Sequence, residues 1–369
     1  MKFVVSRQEL AQLIRNIQNI VPQNAPIPVL SHVLIEAADN ELVFTATDLT
    51  VGSRCHAPAK VLEPGGLSVP SKRFFQLVRE LTDQTLTVNA VDGEMAEILS
   101  GTSSFRLHGI DKNEYPQLPN LEEATRFSLP GAVLKDMLYR TAFAVSKEES
   151  RFVLTGVLMR IFDSKAIFVG TDAKRLARTQ IAIPVPSDLV GEYILPIKAV
   201  DEIIKILNEE EPATIYLAND KIAVESGRTL IVTKLLAGEY PDFEQIIPVG
   251  NDNEKRMELH REELITLLRQ ISLFTNDTTQ SVRFTFQPGE LVLTANCADV
   301  GEGKVSMPVN YAGDRLEMAL NPFYFLDILK HSKDETVVLS VFDPYNPGII
   351  RDSTQSLFII MPMRLNHDQ

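Results

Sequence analysis

The stretch Leu195-Pro-Ile-Lys-Ala-Val-Asp-Glu-Ile-Ile-Lys-Ile-Leu207 has the pattern of a short amphipathic helix that follows a strand. Its apolar residues recur at three- and four-residue steps, which places them on one helix face. Pro196 suits the start of a helix because a proline there costs no helical hydrogen bond. Two other stretches, Val69–Leu81 and Leu320–Ser332, align with it without a gap. Each copy has two adjacent apolar residues followed by a cation, which is Arg79, Lys205 or Lys330.

Further landmarks recur with the same spacing. Each copy opens with a short strand and a helix, predicted over Arg7–Ile20, Gly131–Ala144 and Arg261–Phe274. A later strand ends at Asp48 in the first copy and at Asp172 in the second, where an aspartate side chain typically organises a turn. The third copy has Cys297 there, which argues against a shared catalytic carboxylate. The first two copies close with Glu-Tyr-Pro, ending at Pro116 and Pro241.

These landmarks predict an α+β protein of three tandem domains, over residues 1–120, 126–248 and 256–369. The polar run Asn251–Arg256 is a candidate linker. The repeat is longer than the units of a solenoid, so each copy is expected to be a domain of its own.

The composition is that of a globular protein. The chain has 369 residues, 44% of them hydrophobic, and a formal net charge of −13. Its two cysteines, Cys55 and Cys297, exclude a disulfide framework and suit a reducing compartment. The sequence contains no long apolar run and does not begin with a signal-peptide pattern, so we expect a cytoplasmic protein.

Six recurring helices could line the inside of a closed arc of domains. Six helices packed side by side leave almost no hole, whereas twelve leave a hole of about 28 Å, wide enough for a nucleic-acid duplex. A ring around DNA would therefore need two chains joined head to tail. The predicted helices are weakly basic while the rest of the chain is acidic, which suits a protein that surrounds DNA without reading its sequence.

No pattern in the sequence is typical of an enzyme. Gly65–Lys72 resembles a phosphate loop only superficially, because it lacks the second glycine and the Ser/Thr after the lysine. The histidines show no metal-ligand spacing, so we expect no catalytic residue, metal or cofactor. Three hypotheses remain: a DNA clamp, a peptide-binding scaffold that never encloses DNA, and an enzyme of unrecognised type. The cations that recur in the repeated helix favour the first.

The whole chain resembles the beta subunits of bacterial DNA polymerase III, the sliding clamps. The resemblance rests on Met1-Lys-Phe, Pro26–Leu30, Thr171-Asp172 with Arg175-Leu176, Gly238–Asp242 and Met361–Leu365. It implies a two-chain ring of six domains with helices inside and sheets outside, which encircles duplex DNA and tethers the replicative polymerase. It implies no catalytic activity.

The resemblance also implies a cleft between the second and third domains, where polymerases, the clamp loader and repair proteins dock short linear motifs. The positions that match the family cleft are Leu154, Thr171, Arg175, Leu176, Pro241, Ile246, Ile360, Met361, Pro362, Met363 and Arg364. The chain departs from the family at Ala173, Lys174 and Gln245, and it extends past the usual end as Asn366–Gln369.

Two further residue sets follow from the resemblance. The homodimer contact is expected to use Lys72, Arg73, Phe105, Leu107, Leu273, Phe274 and Glu302. The residues expected to face DNA are Arg15, Arg79, Arg140, Lys198, Lys205, Arg269 and Lys330, while Asn24 stands where the family often has a cation.

Overall fold

The computed structural model describes residues 1–22, 24–91, 94–186, 189–248, 254–276 and 280–364. The tail Asn366–Gln369 and the first three residues of the predicted linker Asn251–Arg256 lie outside the described residues. The six helices expected from the repeated pattern are all present, and each ends one to three residues earlier than predicted. The α+β class is confirmed.

The first repeat contains two helices and ten strands among its described residues. Their bounds are β1 Lys2–Ser6, α1 Arg7–Ile17, β2 His32–Ala38, β3 Glu41–Thr47, β4 Val51–Pro58, β5 Lys60–Glu63, β6 Gly65–Pro70, α2 Ser71–Glu80, β7 Thr85–Val91, β8 Met95–Ser100, β9 Ser103–His108 and β10 Ile110–Asp111.

The second repeat follows the same order of elements, except that its described residues include no counterparts of β5 and β10. Its bounds are β11 Thr125–Pro130, α3 Gly131–Ala142, β12 Gly156–Phe162, β13 Lys165–Thr171, β14 Arg175–Ala182, β15 Gly191–Pro196, α4 Ile197–Ile206, β16 Pro212–Leu217, β17 Lys221–Ser226 and β18 Thr229–Lys234.

The third repeat has the same order of helices and strands as the second. Its bounds are β19 Lys255–His260, α5 Arg261–Ser272, β20 Val282–Gln287, β21 Glu290–Cys297, β22 Gly301–Pro308, β23 Leu316–Leu320, α6 Pro322–His331, β24 Thr336–Val341, β25 Gly348–Arg351 and β26 Leu357–Ile360.

The helix starts have local causes that the sequence encodes. The Ser6 hydroxyl accepts the amide of Glu9 at the start of α1, at 3.1 Å. The Asn321 side chain caps α6, which also begins with Pro322. A side-chain oxygen at this position satisfies an amide that has no partner inside the helix. Helix α4 differs, because Pro196 itself is the capping residue and offers no such oxygen.

The chain divides into two compact units, and the second repeat contributes to both of them. The first unit comprises Met1–Lys135 and Leu195–Leu235, and the second comprises Asp136–Ile194 and Leu236–Gln369. Sheet pairing explains this division. Strand β18 of the second repeat pairs with β4 of the first, and β26 of the third repeat pairs with β14 of the second.

The first unit holds two antiparallel sheets, in the strand orders β5-β1-β7-β8-β9 and β10-β6-β2-β3-β4-β18-β17-β16-β11. Its core contains large side chains with no exposed surface, such as Phe3, Phe44 and Phe74. Burying such rings removes apolar area from water and is the main stabilising contribution of the core. Within the described part of the chain, strand β9 pairs with β8 only, so it is an edge strand.

The second unit also holds two sheets, in the orders β15-β12-β13-β14-β26-β25-β24-β19 and β22-β21-β20-β23. One apolar cluster packs α5 and α6 against these sheets, with Leu268, Phe284 and Phe325 fully buried. A second cluster surrounds Leu158 and Leu176. Strand β22 is an edge strand, like β9 of the first unit.

Candidate functional site

The turns after β3 and β13 are held by the same pattern of hydrogen bonds. In the second repeat, the Thr171 hydroxyl donates to the Arg175 carbonyl at 2.6 Å, and Asp172 accepts two backbone amides through one carboxylate oxygen. Thr47 and Asp48 make the corresponding bonds in the first repeat. The turn-forming role predicted for these aspartates is confirmed.

Ala173 sits at the tip of this turn with φ at +68°. Side chains rarely adopt this left-handed conformation because the Cβ atom crowds the backbone. We expect Ala173→Gly to raise the free energy of unfolding by about 0.5–1 kcal/mol, since relief of strain exceeds the added chain entropy. Urea unfolding measures this. Ala132→Gly, inside α3, is the control and should lower stability; a loss of stability in Ala173→Gly would contradict the account.

Arg175 begins β14 and is 7% exposed. Its Nη1 donates to Asp327 at 2.7 Å, its Nε to Asp172 at 3.2 Å and its Nη2 to the Phe143 carbonyl at 2.9 Å. The guanidinium also lies 4.7 Å from the ring centre of Tyr324. These bonds use three of the five N–H donors of the guanidinium, so Arg175 positions the turn and α6.

Three of the predicted cleft positions, Leu154, Leu176 and Met361, meet at one apolar cluster. Leu154 and Leu176 are buried in the cluster that includes Tyr240 and Phe243. Met361 packs against this cluster and is only partly buried, and its amide donates to the Lys174 carbonyl at 2.9 Å. Beside these residues in sequence, Pro362 is partly buried and Pro241 is exposed. A flexible thioether at the edge of an apolar cluster can adapt to several ligands.

In two pairs of adjacent isoleucines, the residue that packs in the Leu176 cluster is not the one that the sequence predicted for the cleft. Ile360 is fully buried in the cluster around Phe284, whereas its neighbour Ile359 belongs to the cluster of Leu176. Ile246 is 37% exposed, and Ile247 packs against the Leu176 cluster. The missed residues, Ile359 and Ile247, are the immediate neighbours of the predicted ones. For β26, the alternation of side chains along a strand is the signal that could have identified Ile359.

Met363 and Arg364 lie at a different place from Met361. The Met363 amide donates to the Ala319 carbonyl at 2.8 Å, which extends the sheet beyond β23. Both residues line a cavity of about 1100 Å³ over the third repeat, together with Arg283 and Thr294. The predicted cleft residues therefore fall into two neighbouring sets within the second unit.

Arg140 does not face solvent, and the prediction that it faces DNA is wrong. Its side chain is 1% exposed. It donates to both carboxylate oxygens of Asp136 at 3.1 Å, to Asp352 at 2.9 Å and to two hydroxyls, of Thr354 and Ser356. Burial alone would raise the pKa of Asp352, but hydrogen bonds from Thr354 and Arg140 outweigh burial and hold the pKa below its ordinary value. Arg140 is a structural ion-pair residue that ties α3 to the third repeat.

The other cations predicted to face DNA keep some exposure. Arg15 and Arg269 are exposed and make no ion pair within the described residues. The remaining four have partners on their own or a neighbouring element, and these pairs are Arg79 with Gln18, Lys198 with Asp48, Lys205 with Glu202 and Lys330 with Asp327. Exposed contacts of this kind contribute little stability, so the guanidinium of Arg79 and the ammonium groups of the three lysines remain able to approach a phosphate.

The residues predicted for the dimer contact are divided between the two units. Phe105 and Leu107 lie on the edge strand β9, and Lys72 and Arg73 are exposed at the start of α2. In the second unit, Glu302 is exposed on the edge strand β22. Leu273, which directly follows α5, is 73% exposed. Phe274 packs against the core, close to Gly303 of β22.

The repeated Glu-Tyr-Pro contributes one tyrosine to each of the first two repeats, and the sequence analysis missed the role of both. The Tyr115 hydroxyl donates to the His32 carbonyl at 3.1 Å and accepts the Thr47 amide at 3.3 Å. Burial raises the pKa of Tyr115 to about 12, so the phenol keeps its proton. Tyr240 is the counterpart in the second repeat, is 4% exposed and belongs to the apolar cluster of Leu176. The recurrence of the tripeptide in two repeats could have indicated that these tyrosines have a structural role.

Within the described residues, no three side chains of His, Cys, Asp or Glu converge in a way that could hold a metal ion. None of the helices described is both long and apolar enough to cross a membrane.

Three repeats of helices and paired sheets, with an apolar surface beside the second strand-end turn, define a protein of the DNA sliding clamp class. Family models agree along the chain: the N-terminal, central and C-terminal domains of the DNA polymerase III beta subunit match residues 1–119, 128–242 and 244–364. The chain belongs to the family of DNA polymerase III beta subunits, whose members are clamps and not catalysts.

Individual relatives lead to the same conclusion. The chain is 61% identical to the beta sliding clamp of Chlamydia pneumoniae and 28% identical to that of Escherichia coli, covering 100% and 99% of this chain and 100% of each relative. A solved sliding clamp from Bacillus subtilis matches with a TM-score of 0.94 at 25% identity, covering 99% of both chains. A Pseudomonas aeruginosa clamp bound to griselimycin also matches at 0.94, with 26% identity over 99% of this chain and 100% of that one.

Proposed function

We propose that two copies of this chain join head to tail into a ring that encircles duplex DNA and holds DNA polymerase III on its template. The ring would comprise six domains, three per chain, over residues 1–120, 126–248 and 256–369. It would belong to the polymerase III holoenzyme in the cytoplasm. Clamp loader, other polymerases and repair proteins would dock on it through short linear motifs.

Strand pairing within the chain carries this proposal. Two antiparallel junctions already join successive repeats, β4 with β18 and β14 with β26. In the third repeat, β22 is the counterpart of β4 and β14. In the first repeat, β9 is the counterpart of β18 and β26. Both are edge strands with unpaired backbone groups. Unpaired edges readily accept a strand from another chain, so β22 of one copy would pair with β9 of the next.

Both internal junctions lead to the same register for this pairing. Ile231 lies opposite Ser53 at the first junction, and Phe358 lies opposite Ala177 at the second. We matched the paired strands of the three repeats residue by residue. Phe105 is then the counterpart of Ile231 and Phe358, and Gly303 is the counterpart of Ser53 and Ala177. A side chain on Gly303 would collide with Phe274, since its Cβ atom would lie 2.9 Å from that ring. Phe105 would thus meet Phe274 across the interface.

The same register brings opposite charges together. One residue further along β9, Arg106 would lie opposite Glu302 of the partner copy. Arg106 is 68% exposed and bonds Glu97 on its own sheet at 3.0 Å. Cross-strand pairs of opposite charge stabilise a sheet, and complementary charges fix the register of an interface.

Docking of partners is proposed at the apolar surface around Met361. Met361→Ala should weaken griselimycin binding about 10-fold, because truncation removes apolar area that the ligand would cover. Met363→Ala should have a smaller effect, since Met363 lines the neighbouring cavity. Isothermal titration calorimetry measures both affinities. Met95→Ala on β8 is the control and should bind normally; an unchanged affinity for Met361→Ala would place the ligand elsewhere.

Loading the protein onto a nicked circular plasmid with its cognate clamp loader tests the proposed function. A ring should stay on the circle through gel filtration and slide off once the plasmid is cut, and X-ray scattering should report twice the 41.2 kDa chain mass with a hollow centre. Protein that binds griselimycin but is never retained on the circle would instead be a peptide-binding scaffold.

A further inference from the structure

The position on α3 that corresponds to the unpaired arginines of α1 and α5 is occupied by a tyrosine. Leu10, Leu134 and Leu264 are equivalent in the three repeats, and five residues later stand Arg15, Tyr139 and Arg269. Arg15 and Arg269 are exposed and unpaired within the described residues. Tyr139 is 48% exposed at the equivalent place. The neighbouring cation of α3, Arg140, is buried and cannot substitute for them.

The Tyr139 ring rests on a stack of aromatic side chains. Its centre lies 4.4 Å from that of His331 on α6, and the His331 ring lies parallel to Phe143 at 4.1 Å. The His331 Nδ1 bonds the Asp327 carbonyl at 2.7 Å, which fixes the ring orientation. Burial lowers the pKa of His331, which favours the neutral imidazole. A ring supported in this way loses little freedom when a ligand stacks on its open face.

Two lysines flank His331 in sequence. Lys330 pairs with Asp327 at 3.4 Å and is 49% exposed, and Lys333 pairs with Asp136 at 3.1 Å and is 57% exposed. Each ammonium therefore has one carboxylate partner and an open side. An exposed ring beside exposed cations is the combination that binds single-stranded nucleic acid, with bases on the ring and phosphates at the cations.

We infer that Tyr139, supported by His331 and flanked by Lys330 and Lys333, is a stacking site for an unpaired nucleobase of single-stranded DNA. This inference rests on the proposed function in one respect, namely that the helices face the DNA. It adds a contact of a different kind: Arg15 and Arg269 would meet phosphates of either form of DNA, whereas Tyr139 needs a base that is out of the duplex.

Fluorescence anisotropy with labelled oligothymidylate and with a duplex of equal length tests the inference. Tyr139→Ala should weaken oligothymidylate binding about 5- to 150-fold, the range for loss of one stacked base. Tyr139→Phe, which keeps the ring, should bind as the unmodified chain does. Duplex binding and its salt dependence should not change in either variant. Tyr345→Ala removes another exposed tyrosine and serves as the control.

Equal oligothymidylate affinity for Tyr139→Ala and the unmodified chain would overturn the inference. So would an equal loss in Tyr139→Phe, because the hydroxyl would then be responsible, or an equal loss in Tyr345→Ala. Unchanged thermal unfolding of Tyr139→Ala establishes that a loss is local. Plasmid retention is scored separately, so failure of the ring and failure of the stacking site give different results.

Discussion

Replacing Arg140 by alanine is expected to lower the free energy of unfolding by about 3–5 kcal/mol. The change leaves Asp352, whose side chain is fully buried, without its guanidinium partner, and also removes the bifurcated hydrogen bond from Nε to both carboxylate oxygens of Asp136. A charge left buried without its counter-ion is among the most destabilising results of a point mutation. Urea unfolding followed by circular dichroism measures the change.

Matched variants isolate the cause. Arg151→Ala removes an arginine whose side chain is 42% exposed and pairs with Glu148, so its effect should stay below about 1 kcal/mol. In Arg140→Met with Asp352→Asn, a neutral amide replaces the buried carboxylate and much of the arginine stem is retained, so a large part of the loss should be recovered. A loss below about 1 kcal/mol in Arg140→Ala would mean that the network contributes little and that our account of its burial is wrong.

Reversing the charge of Arg106 is expected to convert the proposed dimer to monomers. In the proposed register, Arg106→Glu would place three carboxylates in a row across the interface, with Glu97 on one side and the partner's Glu302 on the other. Like charges brought together in this way cost several kcal/mol, which corresponds to a dissociation constant about 100-fold weaker or more. The proposed ring would contain the contact twice, so the effect on its assembly would be larger still. Analytical ultracentrifugation measures the monomer fraction.

The second half of a charge exchange gives the decisive control. Glu302→Arg alone should also weaken the dimer, and Arg106→Glu combined with Glu302→Arg should restore it. Arg54→Glu makes the same change at an exposed position of β4, inside a sheet, and should leave the dimer intact. If Arg106→Glu sedimented as an unchanged dimer, or if the double variant stayed monomeric, the register derived from the internal junctions would be incorrect.

The sequence by itself determined the local elements. Helix starts and apolar stripes depend on residues that are close together in sequence, so α1 to α6 were predicted to within three residues. The turn aspartates Asp48 and Asp172 bond amides two and three residues away, and this too is local. Triplication made each prediction stronger, since one pattern occurred in three copies.

Only the tertiary structure decided which polar side chains are buried. In sequence, Arg140 and Arg15 are both cations on repeated helices, yet one is buried and the other exposed. The difference is set by Asp352, Thr354 and Ser356, which come more than 200 residues later in the chain. Arg175 is likewise held by Asp327 on α6. The sequence around an arginine does not reveal such distant partners.

The division into compact units was also decided by distant contacts. Three sequence repeats suggest three independent domains, but the strands β18 and β26 each continue a sheet of the preceding repeat. Backbone hydrogen bonds do not depend on side-chain identity, so no residue pattern marks where a sheet crosses a repeat boundary. Local periodicity therefore fixed the elements of this chain, and long-range pairing of strands and charges fixed which surfaces remain free to bind.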